Sequence, residues 1–329
     1  MPEYCVTGGT GFIAAYLVKS LLEKGHLVRT TVRDPGDVGK VGLLREFDGA
    51  KERLKIFKAD LLEEGSFDEA IQGVDGVFHT ASPVLVPHDD NIQATLIDPC
   101  INGTLNVLNS CSKANTVKRV VLTSSCSSIR YLDDAQQVSP LNESHWSDPE
   151  YCKRYNLWYA YAKTMGEKEA WRSAKEKGIN LVVVNPSFVV GPLLAPQPTS
   201  TMLLILAIVK GLRGEYPNMT IGFVHIDDVV ATHILAMENK KASGQARMFK
   251  LSGALVRDHR DAQSQISILS HMKTSVAARK ETTIRIAWTP PRLLRWGSLL
   301  SKHLKKCLMT ASRVSRRRDS CKINNPCYK

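Results

Sequence analysis

At 329 residues and 43% apolar composition, the chain can build one large α/β domain, or a nucleotide-binding domain with a smaller lobe; it is neither a disulfide miniprotein nor a disordered chain. Its formal charge of +12 is confined to one end: Arg247 to Lys329 carries 19 Lys and Arg against four Asp and Glu, whereas residues 1–246 carry 25 against 28. The longest uncharged apolar run, Met202 to Val209, is far short of the roughly 20 residues that a membrane span needs, so no span is expected.

The opening "MPEYCVTGG" lacks the basic stretch and apolar core of a secretory leader, and a cytoplasmic location is expected. Its run "EYCVTGG" reads as a strand ending in glycines, and "FIAAYLVKSLLEKG", apolar at intervals of three and four and closed by glycine, as a helix. Further strands follow at "HLVRTTVR", "RLKIFKADL", "VDGVFHTA", "VKRVVLTSS" and "INLVVVNPS", with helical stretches such as Gly103 to Ala114 between several of them. Near-continuous Val, Ile and Leu strands alternating with helices predict a doubly wound, Rossmann-type parallel sheet covered on both faces. The expected division is a dinucleotide-binding domain over 1–191 and part of a smaller substrate lobe over 192–246. The lobe would include a strand and helix in "IGFVHIDDVVATHILAME", and a divergent, poorly ordered basic tail would occupy 247–329. Eight cysteines (Cys5, Cys100, Cys111, Cys126, Cys152, Cys307, Cys321, Cys327) form no CxxC pair and no ligand cluster with histidine, so reduced thiols and no metal are expected.

"VTGGTGFIA" places Gly8, Gly11 and Ala14 between a strand and a helix, where glycines let a pyrophosphate approach the free N–H groups of the helix start. The second strand ends "TTVRDP": Arg33, with Lys40 beyond it, offers cations for a 2′-phosphate and favours NADPH, while Asp34 is an alternative ligand for the ribose hydroxyls of NADH. Asp60 can accept from an adenine amino group or cap the helix after it. In "YNLWYAYAKTMGEKEAW", Tyr159 and Lys163 stand four apart and share a helix face, while Tyr161 points elsewhere. An ammonium beside a phenol stabilises the phenolate and makes the tyrosine a usable general acid near neutral pH. Ser124 and Ser125 end a parallel strand, at the edge where such sheets bind ligands, and a serine hydroxyl there can hold a carbonyl oxygen.

Together with "KADL", "GSFDEAIQGVDGVFHTASP", "NESHWSD", "YAYAK" and "NPSFVVGP", these segments resemble the plant extended short-chain dehydrogenase/reductases, the group of dihydroflavonol reductase, cinnamoyl-CoA reductase and tetraketide α-pyrone reductase, without a break from Tyr4 to about Gly244. "HTASPVLVPHDDNI", "SSCSSIRY", "NLWYAYAKTMGE" and "YPNMTIGFVHIDDVVA" look most like the tetraketide α-pyrone reductases. The resemblance implies NADP(H) as cofactor, a small-molecule ketone as substrate and a place in making sporopollenin precursors. It also implies a catalytic triad of Ser125, Tyr159 and Lys163, with Lys163 holding the nicotinamide ribose as well. Thr7, Phe12 and Ile13 would join the glycines around the dinucleotide, Leu61 would join Asp60, and Thr80, Ala81, Ser82, Pro186 and Ser187 would line the nicotinamide. Where cinnamoyl-CoA reductases read Asn-Trp-Tyr-Cys-Tyr-Gly-Lys, this chain has Leu157 to Lys163 as "LWYAYAK", which counts against a CoA thioester. "RYLDDAQQVSPLNESHW", where dihydroflavonol reductases meet their flavonoid, has little of their pattern and places dihydroflavonols second.

Past Gly244 the family pattern calls for a strand, a helix beginning His-Trp-Ser-Glu-Ile-Ile, and an acidic last helix. "ALVRDHRD" can be encoded so that a start one nucleotide later reads His-Trp-Ser-Glu-Ile-Ile-Glu-Met. "RVSRRRDSCK" can be encoded so that a start two nucleotides later reads Ser-Phe-Gln-Glu-Lys-Gly-Leu-Leu-stop. Two such recoveries in family order point to a tail translated out of register, the opposite offsets requiring more than one insertion or deletion, or altered splicing. This reading displaces the other use of a basic tail, a nucleic-acid or anionic-membrane arm with steeply salt-dependent binding. It also keeps open a dinucleotide-binding protein without turnover, because fold alone does not separate an enzyme from a sensor.

Overall fold

The computed structural model describes residues 1–83, 91–135, 137–138, 141–194, 199–203, 222–239, 242 and 246–248. The first strand, β1 (Glu3–Thr7), has Cys5 and Val6 wholly buried and Tyr4 nearly so, the mark of a strand covered on both faces. Helix α1 (Phe12–Glu23) buries Leu17, Val18, Leu21 and Leu22 along one stripe, and β2 (Leu27–Val32), α2 (Val38–Arg45), α3 (Ala50–Arg53) and β3 (Leu54–Lys58) complete the first half. There follow α4 (Asp68–Ile71), β4 (Gly76–His79), a π-helical turn leading into α5 (Asp98–Ala114), β5 (Arg119–Thr123), α6 (Pro149–Arg154), α7 (Trp158–Glu176) and β6 (Leu181–Val184). After β7 (Phe188–Val190) come β8 (Phe223–His225), α8 (Ile226–Glu238) and β9 (Ala246–Met248).

Among the described residues, seven strands form one sheet in the order β3-β2-β1-β4-β5-β6-β9, every neighbouring pair parallel. This is the doubly wound, Rossmann-type architecture expected from the sequence. Successive strand residues serve opposite faces: Val6, Phe78, Val121 and Val182 pack with α1 and α8, while Cys5, Val77, Val120 and Val183 pack with α5 and α7. The direction of winding reverses between β1 and β4, so the carboxyl ends of those strands open a crevice at the sheet's edge.

Two elements near the expected boundaries pack on the large sheet. Helix α8, assigned to a substrate lobe, buries Ile226, Val230, Ile234 and Met237 in the core beside α1, because its apolar stripe has the sheet to cover. Arg119 of β5 fastens it, donating from Nη1 to the carbonyls of Ala236, Met237 and Asn239 at 2.8, 3.0 and 2.8 Å, a buried cation placed on the carbonyls of a helix end. Strand β9 then joins β6 in the register Val182↔Ala246, Val183↔Arg247 and Val184↔Met248, so the sheet crosses the expected start of the tail at residue 247. Among the described residues, the parallel pair β7-β8 lies outside the large sheet, and β7 begins before residue 191. Residues 249–329, and with them the expectations for the tail, lie outside the described residues.

Candidate active site

Four parallel strands deliver their ends to one edge of the sheet: β1 into the glycine turn, β4 into Thr80–Ser82, β5 into Ser124–Ser125, and β6 into Asn185–Ser187. Gly8 adopts φ +73° and lies so close to the exit of β4 that a Cβ on it would meet Ala81 at 3.1 Å. Gly9 is tighter still, since a Cβ there would lie 2.2 Å from Thr30 Oγ1. The turn is pinned to β2, with Gly9 N–H donating to Thr31 O at 2.9 Å and Gly8 N–H to Thr31 Oγ1 at 3.2 Å. Gly11 stands at the N-cap of α1 without a side-chain cap, and the first turn holds no acidic residue. The backbone N–H groups of Phe12 and Ile13 thus begin a helix whose positive end has no side-chain acceptor. A cradle from which side chains are excluded, ending on free donors, fits a dinucleotide pyrophosphate.

Several expected contacts are placed differently. Thr7 is fully buried, and its Oγ1 accepts from the N–H groups of Thr80 (3.1 Å) and Ala81 (3.0 Å) while meeting His79 Nδ1 at 2.9 Å. Its hydroxyl therefore splices β1 to β4, leaving no side-chain contact to offer a cofactor. His79 passes the network on through Nε2 to Thr104 Oγ1 at 3.3 Å; burial, with a smaller push from Lys163, holds this imidazole's pKa down at about 3. Thr80 likewise turns its hydroxyl onto Thr7 O.

At the end of β2, Arg33 is exposed and makes no hydrogen bond or ion pair among the described residues, whereas Lys40 sits 2.8 Å from Asp37, the N-cap of α2. Of the two cations singled out for a 2′-phosphate, Arg33 is the uncommitted one. Asp34 turns Oδ1 onto Gly36 N–H at 2.8 Å. Asp60 does not cap the next helix, which starts only at Asp68; its Oδ1 closes a short turn on Leu62 N–H at 2.9 Å. The Leu61 side chain packs against α5, where a Cβ on Gly103 would meet it at 2.7 Å, and its carbonyl accepts from Asn106 Nδ2 at 2.9 Å.

Ser125 is 9% exposed at the exit of β5, with Oγ accepting from Ser127 N–H at 3.1 Å. Lys163, also 9% exposed, donates from Nζ to Ser82 Oγ at 2.9 Å and to Thr123 O at 3.5 Å, and lies 6.0 Å from the centroid of the Tyr159 ring. The lysine thus bridges the ends of β4 and β5 and stands beside the phenol ring. Tyr159 is half-buried, and its hydroxyl makes no hydrogen bond among the described residues. Pro186 O receives Cys126 N–H at 2.9 Å, which ties the β6 exit to the Ser125 turn, and Ser187 adjoins Gly222.

Sequence reasoning passed over the polar groups behind this surface. Glu167, one turn beyond Lys163, is 1% exposed and accepts from Ser124, Ser128 and Asn185. The available signal was phase: residues 159, 163 and 167 recur every four positions, and a carboxylate on that face faces inward.

Such a sheet edge can hold a dinucleotide and bring a carbonyl within reach of a phenol and an ammonium, the working arrangement of a dinucleotide-dependent oxidoreductase. Residues 4–252 match the model of the NAD dependent epimerase/dehydratase family, and the chain belongs to that family, in its extended short-chain reductase branch. Over 246 residues it is 75% identical to tetraketide alpha-pyrone reductase 2 of Arabidopsis thaliana, covering 74% of this chain and 77% of that one. Vestitone reductase from alfalfa (Medicago sativa L.) superposes with a TM-score of 0.65 at 33% identity, over 80% of this chain and 84% of its own. Yeast methylglyoxal/isovaleraldehyde reductase, solved in complex with NADPH, superposes with a TM-score of 0.66 at 26% identity, over 75% and 78%. No helix among the described residues is long and apolar enough to cross a membrane.

Proposed function

We propose that this chain is an NADPH-dependent reductase of a polyketide-derived ketone of the tetraketide α-pyrone type, in the route to sporopollenin precursors. The observation that carries the reading is the placement of Lys163 between Ser82, Thr123 O and the Tyr159 ring, on the sheet edge that also presents the glycine cradle. The 75% identity to a tetraketide alpha-pyrone reductase supports the substrate class, and uncommitted Arg33 supports NADPH over NADH.

When bound along Gly8, Gly9 and the start of α1, the nicotinamide cofactor supplies a hydride for the carbonyl carbon. The protein's part is the carbonyl oxygen. Ser125 Oγ already accepts from Ser127 N–H, which leaves its own proton free to donate to that oxygen. Tyr159 donates the proton that the developing alkoxide takes up, with the Lys163 ammonium standing 6.0 Å from the centroid of its ring. Ser82 and Thr123 O keep the ammonium in place without neutralising it, since neither is an anion.

The test is a substrate panel with the full chain: a hydroxyalkyl-pyrone ketone, a dihydroflavonol and cinnamoyl-CoA, each with NADPH. The expected order of kcat/KM is pyrone ketone, then dihydroflavonol, then thioester. A thioester or dihydroflavonol turned over best would overturn the substrate assignment, and cofactor binding without consumption of any substrate would overturn the reductase reading itself.

A further inference from the structure

We infer that Glu167 is the positioning residue for Ser125, a role that rests on the reductase reading only for its kinetic consequence. A carboxylate with 1% exposure is costly unless donors surround it, and here they do. Oε2 accepts from Ser124 Oγ at 2.6 Å, Ser128 Oγ at 2.6 Å and Asn185 Nδ2 at 2.8 Å, and Trp171 Nε1 stands 3.5 Å from Oε1. The three close donors frame Ser125. Ser124 precedes it, Ser128 closes the short helical turn after it, and Asn185 reaches across from the end of β6 to Ser125 O at 3.3 Å and Ser128 Oγ at 2.9 Å. Ser128 N–H also donates to Ser125 O at 3.0 Å. One oxygen on α7 therefore holds the β5 exit and the β6 exit together and sets where the Ser125 hydroxyl stands. Glu167 also lines the same small cavity as Lys163, Ser82 and Thr123, so the helix that carries Tyr159 and Lys163 sets the serine's distance from them.

Geometry makes Glu167→Gln informative. If the amide oxygen takes the place of Oε2, it keeps the three close bonds without their charge and its NH2 turns toward the Trp171 N–H; if it takes the place of Oε1, the NH2 meets the donor-only Asn185 Nδ2 and two serine hydroxyls that must turn to accept. Either orientation removes the anion on which the three donors converge and sets an amide NH2 against one donor-only group, in a side chain of unchanged shape.

Two measurements on the full-length chain test the inference. Amide hydrogen exchange without cofactor needs no turnover: Glu167→Gln is expected to speed exchange of the Cys126, Ser128 and Ile129 amides about tenfold or more, leaving β1 and α1 unchanged. Ser128→Ala, which removes one donor from the edge, is expected to do the same to a smaller degree and carries the test if the Gln variant does not fold. Unchanged exchange in the folded variant would overturn the inference. In NADPH-dependent ketone reduction, Glu167→Gln is expected to lower kcat about tenfold with the NADPH Kd within about twofold, and to have no further effect in a Ser125→Ala background. An equal loss with Ser125 absent would mean that Glu167 supports the fold and not the serine. A wild-type chain that reduces no ketone would refute the proposed function, and the exchange measurement would still decide the role of Glu167.

Discussion

The glycine cradle makes a sharp demand at Gly9. A methyl group there would sit 2.2 Å from Thr30 Oγ1, 3.0 Å from its Cγ2 and 3.1 Å from its Cβ. Thr30 cannot yield, being fully buried, β-branched and committed through Oγ1 to Val6 O at 2.7 Å. In Gly9→Ala the turn must therefore lift by about 1 Å to restore contact distance. Overpacking of that size costs about 2 kcal/mol, or about 4–8 °C in Tm for a domain this large. Because the same turn leads into the uncapped start of α1, NADPH affinity is expected to fall about tenfold, followed by quenching of tryptophan fluorescence on titration. Thr30→Ala deletes the two nearest atoms and leaves only the Cβ contact, so the double variant should recover part of both losses, with a coupling of about 1 kcal/mol. A Gly9→Ala protein with wild-type Tm and NADPH affinity, or strict additivity with Thr30→Ala, would refute this account of the turn.

Arg33→Ser should weaken NADPH about tenfold and leave NADH nearly unchanged, whereas Lys40→Ala, removing a lysine already paired with Asp37, should do much less; equal losses for both cofactors would point to the fold instead. Burial holds His79 neutral down to a pKa of about 3 and His233 down to about 4. An unfolded histidine titrates near pH 6.5, so the unfolded chain binds more protons below that value. Stability is then full above about pH 6.5 and falls by about 1.4 kcal/mol per pH unit per histidine below it. Urea unfolding at pH 7.5 and 5.5 should register the loss, and a flat profile would contradict it. For the basic tail, a transcript read across the Gly244 codon should reveal the register change, and an unbroken frame with codons incompatible with the family's ending would remove it.

Much of the fold was legible because parallel strands buried on both faces leave runs such as "LVVV" that few other contexts tolerate. The glycine turn and the Tyr159–Lys163 pair were legible for a similar reason: each is local, fixed by spacing within a few residues. What escaped depends on partners distant in sequence. The apolar stripe of α8 declared that something covers the helix, without declaring that the covering is α1 and the main sheet. Thr7 sits where a cofactor contact belongs, yet its hydroxyl is claimed by residues more than seventy positions away. Strand β9 is three residues long, and its place is set by β6, not by its own propensity. The donors that hold Glu167 come from the exits of β5 and β6, eighteen to forty-three positions away.

In the proposed reaction Tyr159 is the proton donor, at an edge where Lys163 and the glycine cradle are already in place. The most direct measurement is Tyr159→Phe in the full-length chain, with NADPH binding and pyrone-ketone reduction followed side by side. The phenol hydroxyl has no partner among the described residues, so its removal should leave the NADPH Kd within about twofold while lowering kcat about a thousandfold. A phenylalanine variant that keeps a tenth or more of the wild-type rate would contradict it.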